Sequence, residues 1–526
     1  MPFLVDSLTA ALNQRDLTVY LVIHPIVRVR RDRTGNRAAT AKIDEVVESH
    51  IQIRINEQTA PDRLAEIKFA LEQVLADVRA ATSDWRQMRA RADEILASLD
   101  AAPASLPADE VAEAKAFLKW LNDDHFTFLG YREYDFVGDG DAAMISIPPQ
   151  SGLGILRDDQ YSVFDGLRNF EQLPPDVRQF LRQPRVLMIT KANRRSTVHR
   201  PVHMDTISVK KFDSAGNAVG EQLFVGLLTS AAYSQNSREI PLLRRKVANC
   251  LARAGFAPAS HDGKALAHIL ETYPRDELFQ ISENELYDTA LGILHLQERQ
   301  RIALFTRRDP FERFVSCLVY VPRDRYSTEL RLRIQDILAR AYNGTVSAYY
   351  THMTDAALSR LQVIIATKRG AIPDVDPEDI ERRLVEAGRS WADHLQDALV
   401  EVKGEEQGFA SLRRYTDAFP VGYRERFSAQ LSVADIDKVE EALGGAGIAM
   451  NLYRPLESAA TELKLKLYSV GAQLPLSDVL PILEHMGFKV ISESPYMVQP
   501  RGSEREVWVH DFGMITADGH EVELGA

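Results

Sequence analysis

Phe314-Val-Ser-Cys-Leu-Val-Tyr-Val321 reads as a strand buried on both faces, and the elements after it in the chain decide the fold. Leu330, Ile334, Ile337, Leu338 and Ala341 recur with the spacing of an amphipathic helix. Strands come next at Thr345–Tyr350 and Leu361–Ala366, and a long helix is expected near 376–402. A helix between the first two strands is a crossover and the short link between the next two is a hairpin. The order is therefore βαββα, a ferredoxin-like α+β unit.

The same order returns at both ends. Leu463, Leu465 and Leu467 alternate with Lys464 and Lys466; Pro475 and Ser477 open a helix carrying Leu476, Val479, Leu480 and Leu483, and Gly487 ends it. Strands are expected at Phe488–Val498 and Glu506–Met514. At the start, Leu4, Val5, Leu8, Ala11 and Leu12 share a helical face, and a β-rich run covers Leu17–Val29. Ile51–Ile55 alternates, and Pro61 opens a long helix through Leu64, Ile67, Leu71, Val74, Leu75 and Val78 toward Leu99. The first copy lacks a leading strand and the last a closing helix, so the chain is expected to be a piece of a longer polypeptide whose other parts cover those surfaces.

Between the first and second copies, Ala101–Glu110 is a small, proline-bearing linker. Beyond it come a helix at 109–122, strands near Thr127–Phe136 and Arg185–Lys191, a hairpin from Thr206–Phe212 to Gln222–Leu228, and helices at 240–254 and 283–300. The expected layout is a first module at 1–100, a mixed α+β domain at 111–309, a second module at 310–403, a helical connector at 404–460 and a third module at 461–526.

Composition narrows the function. Of 526 residues, 63 are Lys or Arg and 75 Asp or Glu, a formal net charge of −12. That balance argues against a phosphate backbone, and so against nucleic acid, as the main partner. Cys250 and Cys317 alone make neither a disulfide framework nor a Cys-rich zinc site, which fits a reducing cytoplasm. Met1–Asp6 carries an acid where a secretory leader needs a base, and Val19–Val29, interrupted by His24, Pro25 and Arg28, is too short to span a membrane. No membrane role is expected.

Several stretches are more distinctive than composition. Trp120-Leu-Asn-Asp-Asp-His-Phe-Thr-Phe-Leu-Gly-Tyr131, Lys191-Ala-Asn-Arg-Arg-Ser-Thr-Val-His-Arg-Pro201, Phe224-Val-Gly-Leu-Leu-Thr-Ser-Ala-Ala-Tyr233 and Ile240-Pro-Leu-Leu-Arg-Arg-Lys246 are four of them. Ser260-His-Asp-Gly-Lys264, Glu271-Thr-Tyr-Pro-Arg-Asp-Glu-Leu-Phe-Gln280 and Phe419-Pro-Val-Gly-Tyr-Arg-Glu-Arg-Phe427 are three more. In order and over essentially the whole chain, they resemble the large bacterial NAD-specific glutamate dehydrogenases.

The resemblance implies an N-terminal regulatory region of three ACT-like modules plus an intervening domain, ahead of a separate catalytic domain. The family's reaction is the oxidative deamination of L-glutamate to 2-oxoglutarate and ammonia, with NAD as hydride acceptor. NAD is thus expected for the parent enzyme and not for this chain, whose expected partners are the missing catalytic domain, further copies of itself in a homo-oligomer, and a small amino-acid or carboxylate effector. The alternative is a stand-alone amino-acid-sensing ACT-repeat protein without catalysis.

The residues agree that the chemistry lies elsewhere. NAD binding needs a glycine-rich strand-to-helix turn. Gly138-Asp-Gly140 sits in an acidic turn, and Gly152-Leu-Gly154 is followed by Arg157 instead of a third glycine. No lysine–glycine–glycine segment of the family's catalytic kind is present, so no catalytic site is carried over. Ser260-His261-Asp262 has a hydrolase triad's letters but reads as a turn cap, and His199 and His203 are separated by Pro201, which breaks the helix a metal pair would need.

Candidate contacts for an anionic effector are Lys191, Arg194, Arg195, His199 and Arg200, five cationic or titratable groups within ten residues. A solvated or salt-bridged face is the competing reading. Gly471 joins them through the family resemblance: in amino-acid-binding ACT modules, a glycine between strand one and helix one lets backbone amides meet a ligand carboxylate.

Overall fold

The computed structural model describes residues 1–32, 34–37, 45–138, 144–158, 183, 185–296, 301–455, 458–459, 461–520 and 522. They divide into two compact units, Met1–Tyr320 with Ala339–Val375, and Val321–Leu338 with Asp376–Ala526. Gly140 of the acidic turn and residues 297–300 of an expected helix lie outside the described residues.

In the first unit, α1 (Leu4–Asn13) precedes two antiparallel ladders: β1 (Val19–Ile23) pairs with β4 (Gln52–Ile55), and β2 (Ile26–Arg30) with β3 (Glu45–Ser49). The run Leu17–Val29 is thus two strands. They part at Pro25, which has no N–H for a ladder, and whose carbonyl accepts from His50 N at 3.0 Å. The helix α2 (Pro61–Ser98) buries Ile67, Ala70, Val74, Val78, Ala81, Met88, Ala92 and Ile95 along one stripe.

Then α3 (Ala108–Trp120) leads into an antiparallel sheet of β5 (Phe126–Val137), β6 (Met144–Ser146), β7 (Leu153–Gly154), β8 (Leu187–Arg195), β9 (His203–Phe212) and β10 (Ala218–Leu228). The strand order is β6-β5-β10-β9-β8, with β7 beside β5. Along β10, Phe224 and Leu228 face one cluster with Phe117, Leu243, Leu286 and Ile293, while Leu223, Val225 and Leu227 face another with Leu4, Leu8, Val74 and Val78. Both faces are covered, which is why this strand is apolar at successive positions.

The helices α4 (Ser230–Ser234), α5 (Leu243–Ala254), α6 (His261–Thr272), α7 (Arg275–Gln280) and α8 (Glu283–Leu296) come next. After them are β11 (Ala303–Arg308), β12 (Phe314–Pro322), α9 (Thr328–Ala341), β13 (Thr345–His352) and β14 (Leu358–Ala366), with the sheet order β11-β12-β14-β13. The strand β11 lies upstream of residue 310, where this module was expected to begin. It pairs antiparallel with β12 from Ala303↔Tyr320 to Arg308↔Val315.

After its segment Val321–Leu338, which holds most of α9, the second unit continues with α10 (Pro377–Ala387) and α11 (Trp391–Lys403), not the single helix expected over 376–402. Gly388 ends the first. A capping box starts the second: Asp393 N donates to Ser390 Oγ (3.1 Å), and Ser390 N to Asp393 Oδ2 (2.8 Å). Next are α12 (Glu405–Tyr415), α13 (Val421–Arg426), α14 (Ala429–Glu441), β15 (Ile448–Tyr453), β16 (Glu462–Val470), α15 (Leu476–His485), β17 (Phe488–Val498) and β18 (Val507–Thr516).

The order β15-β16-β18-β17 repeats that of the second module strand for strand. Here too a leading strand, β15, falls inside the stretch 404–460 read as a helical connector. Its Ile448, Met450 and Leu452 alternate like the core leucines of β16 but are 50%, 61% and 42% exposed, an apolar stripe left uncovered on an edge strand. One sheet face packs Leu463, Leu465, Leu467 and Phe512 against Val479 and Leu483 of α15; the other packs Tyr468, Val507 and Val509 against α11 and α14.

Candidate functional site

Lys191 and Asp205 stand directly opposite each other on β8 and β9. Lys191 Nζ lies 2.6 Å from Asp205 Oδ1 and 3.2 Å from Asp276 Oδ1 on α7. Tyr233 donates its hydroxyl to the same Asp276 oxygen at 2.8 Å, and Leu228 N donates to Asp205 Oδ2 at 3.2 Å. Burial by itself would strip the lysine of its proton; the two facing carboxylates outweigh it and hold the ammonium well above its ordinary range.

Three contacts join this end of β8–β9 to the second module. Arg195 Nη2 donates to Ser347 O at 2.6 Å, Arg313 donates to Lys191 O, and Ser347 Oγ stands 3.0 Å from His203 Nε2. The other His203 nitrogen, Nδ1, is 3.1 Å from Ala192 O, which can only accept, so Nδ1 carries the proton and Nε2 accepts from the serine. Burial, with Arg195, Lys191 and Arg313 nearby, keeps His203 below its usual value and neutral. Arg313 is held by Asp309 through Nε–Oδ2 (2.7 Å) and Nη2–Oδ1 (2.8 Å).

A cleft runs between this corner and β13–β14, above α7. Its first lobe, of about 360 Å³, is apolar, with Phe311, Phe314, Ala348 and Ile364 in its wall. The second, of about 380 Å³, is cationic through Arg200, Arg275 and Arg360, with His352 also in its wall. Lys191, His203, Asp276, Tyr350 and Gln362 line both.

Of the anion contacts read from the sequence, Lys191 and Arg200 reach this cleft, while Arg195 bonds the Ser347 carbonyl. Arg194 is exposed, and its charge acts on Asp77. His199 sits in a turn at φ +69°, packs on Phe3 and lies 3.3 Å from Asp6. Gly471, in the second unit, has φ +81° and donates its N–H to Glu506 O at 2.9 Å. The run 191–200 is thus dispersed by strand alternation and by the turn after β8. Arg275, Asp276, Ser347, Tyr350 and Arg360 come from segments far apart in the chain, and no local pattern marks them as neighbours.

Other motifs resolve locally. Ser260 caps α6, its Oγ accepting from Gly263 N at 3.0 Å. Gly154 N donates to Asp84 Oδ2 at 2.8 Å, so this loop turns its amide to a carboxylate. Arg244 pairs with Glu113, Arg245 with Asp109, and Arg307, buried, with Glu277 at 2.7 Å. Among the described residues, no group of three or more His, Cys, Asp or Glu side chains is placed to hold a metal ion, and no helix is long and apolar enough to cross a membrane.

Five family models, all described as parts of glutamate dehydrogenase, match the chain in order. They are the ACT1 domain at residues 1–71, helical motif 1 at 240–299, the ACT2 domain at 303–392, helical motif 2 at 398–442 and the ACT3 domain at 447–526. The chain is 40% identical over 530 residues to an NAD-specific glutamate dehydrogenase of Halomonas elongata, covering 100% of this chain and 33% of that protein. It is 36% identical over 531 residues to one of Pseudomonas aeruginosa, covering 100% of this chain and 32% of the relative. With one of Mycobacterium tuberculosis the identity is 29% over 527 residues, with 97% and 31% covered. The chain thus spans about a third of the length of these relatives. It is homologous to the ACT-rich N-terminal region of the NAD-specific glutamate dehydrogenases.

Proposed function

We propose that this chain is the regulatory and oligomerisation portion of a cytoplasmic, homo-oligomeric NAD-dependent glutamate dehydrogenase. The parent converts L-glutamate, NAD and water to 2-oxoglutarate, ammonia and NADH, with chemistry and cofactor binding carried by residues beyond these 526. The observation that carries this reading is the match itself: the whole chain aligns with one third of NAD-specific enzymes, and the matched segments are ACT domains and helical motifs. ACT modules coupled to a catalytic domain regulate it when an effector binds one packing of the modules better than another. The effector contact we favour is the cleft around Lys191 and Arg200.

The test is glutamate-dependent reduction of NAD by the 526-residue chain and by the same polypeptide extended through the downstream reading frame. Activity confined to the extended protein supports the proposal. Activity in the 526 residues overturns it, and inactivity of both, with amino-acid binding by the chain, favours the stand-alone sensor instead.

A further inference from the structure

The cationic lobe of the cleft is lined by three guanidinium groups, each anchored on a backbone carbonyl. Arg200 Nη2 donates to Leu228 O at 2.6 Å, and the guanidinium carbon stands 6.0 Å from the centre of the Tyr233 ring. Its Nε is buried with no hydrogen-bond partner among the described residues. Arg275 Nη2 donates to Gln235 O at 2.8 Å, and both its Nε and its Nη1 are buried and without a partner among the described residues. Arg360 Nη1 donates to Thr272 O at 2.6 Å. In each case one backbone carbonyl fixes the side chain. What lines the lobe is the charge of these side chains, which the carbonyls hold in place.

Charge points the same way. The groups facing the lobe are Lys191, Arg200, Arg275 and Arg360 on one side and Asp276 on the other. Asp205 and Asp276 are engaged with Lys191, and Asp276 also accepts from Tyr233. Glu271, which attracts Arg275, is exposed and bonded to Asn236 at 3.1 Å. His352 and His203 are both held below the ordinary imidazole range and add no positive charge at neutral pH. Three arginines therefore converge with too few carboxylates to satisfy them. A crowd of cations with so little counter-charge is costly to bury, and an anion in the lobe relieves it.

We infer that this lobe is a binding site for a small oxyanion, a carboxylate or a phosphate group, gripped by Arg200, Arg275 and Arg360. Planar guanidinium edges match the oxygens of either group. A volume of about 380 Å³ suits a small metabolite. The three arginines come from the β8–β9 turn, α7 and β14, so one ligand would tie the second module to the domain before it. That is the differential contact a regulatory signal requires. The inference rests on the proposed function for this consequence alone; the binding site stands without it.

The experiment is thermal unfolding of the 526-residue chain with succinate and, separately, with inorganic phosphate, each titrated to about 10 mM, beyond the millimolar range of weak sites. Wild type is expected to rise in unfolding midpoint with at least one of them; a rise with succinate alone identifies a dicarboxylate, and with phosphate alone a phosphorylated ligand. Arg275→Met should weaken the response about tenfold or more, the loss of one charge-assisted bond. Without ligand its midpoint should equal or exceed that of wild type, because the substitution removes buried donors that have no partner; a purely structural arginine would show a fall. Arg200→Gln is the second variant, read the same way if Arg275→Met does not fold. No rise with either anion, or an equal rise in wild type and both variants, overturns the site. Because no enzyme activity is read, this result is independent of where the catalysis lies.

Discussion

Lys191 and Asp205 form a cross-strand ion pair at 2.6 Å, 15% and 5% exposed, and Asp276 closes on the same ammonium from a separate helix. Three elements of the first unit thus converge on one buried positive charge. Replacing it by a hydrophobic side chain of similar length, Lys191→Met, leaves two carboxylates facing each other without a cation. A broken buried pair of this kind costs about 3–5 kcal/mol. Urea unfolding should show that loss, and Asp205→Asn added to Lys191→Met should recover part of it. A single variant within about 0.5 kcal/mol of wild type, the range of an ordinary surface substitution, would contradict the convergence.

His203 gives a pH dependence with a definite sign. Its folded value lies below the ordinary imidazole value of about 6.5. As pH falls through 6.5 the unfolded chain therefore takes up a proton that the folded chain refuses. Stability is lost across that window and levels off where folded His203 itself titrates; each unit of separation is worth about 1.4 kcal/mol. His203→Gln keeps donor and acceptor atoms and does not titrate. Unfolding free energies measured from pH 7 to pH 5 should fall more steeply for wild type than for His203→Gln, and parallel curves would refute the assignment.

The second unit has its own buried charge cluster. Asp435 of α14 accepts from Tyr468 at 2.7 Å and from Tyr423, and pairs with Lys466 of β16 at 2.5 Å. The ammonium also lies 3.7 Å from the centre of the Phe427 ring. Asp435 is 1% exposed and Lys466 2%, so Asp435→Ala strands a lysine with no counter-charge and should cost about 3–5 kcal/mol. Asp435→Leu combined with Lys466→Met removes both charges and should be markedly less destabilised than the two single variants summed. Additive losses in that double-mutant cycle would show that the pair does not act as one.

Periodicity made the repeated module readable, and its failures have local causes. Leu463, Leu465 and Leu467 share the face packed on Val479 and Leu483, so the strand was evident from alternation alone. The intervening lysines have the charge of a solvent face, yet Lys466 is buried, because Asp435, upstream in the chain, supplies its counter-charge. Ile448, Met450 and Leu452 carry the same alternation but point outward on an edge strand, so here the sequence pattern marks a strand without marking a core. The break at Gly388 rests on a capping box between Ser390 and Asp393, visible in the residues but overruled by the long apolar rhythm around it. The cleft was half legible. Lys191 and Arg200 stood out as part of a cationic run, whereas Arg275 and Arg360 reach it only through tertiary packing.

The Gly152–Gly154 loop, the stretch most like a nucleotide-binding turn, is expected to be a structural latch. Gly154 has φ +60°, a region costly for other residues, and a Cβ added there would lie 2.1 Å from Leu129 O, a backbone atom that cannot swing away. Its N–H is held by Asp84, 3% exposed and paired with Arg157 at 2.5 Å. Gly154→Ala must therefore shift the backbone, part the β5–β7 contact and pull the amide from a buried carboxylate, a combined cost of about 3 kcal/mol or more. Asp84→Asn keeps an acceptor for the amide and loses only the charge, so its effect should be smaller, about 1–2 kcal/mol. Urea unfolding of the two variants should rank them in that order, and NAD at millimolar concentration should leave the wild-type midpoint unmoved. An NAD-dependent rise that Gly154→Ala abolishes would make the loop a nucleotide site after all, with Asp84 displaced from its amide on binding.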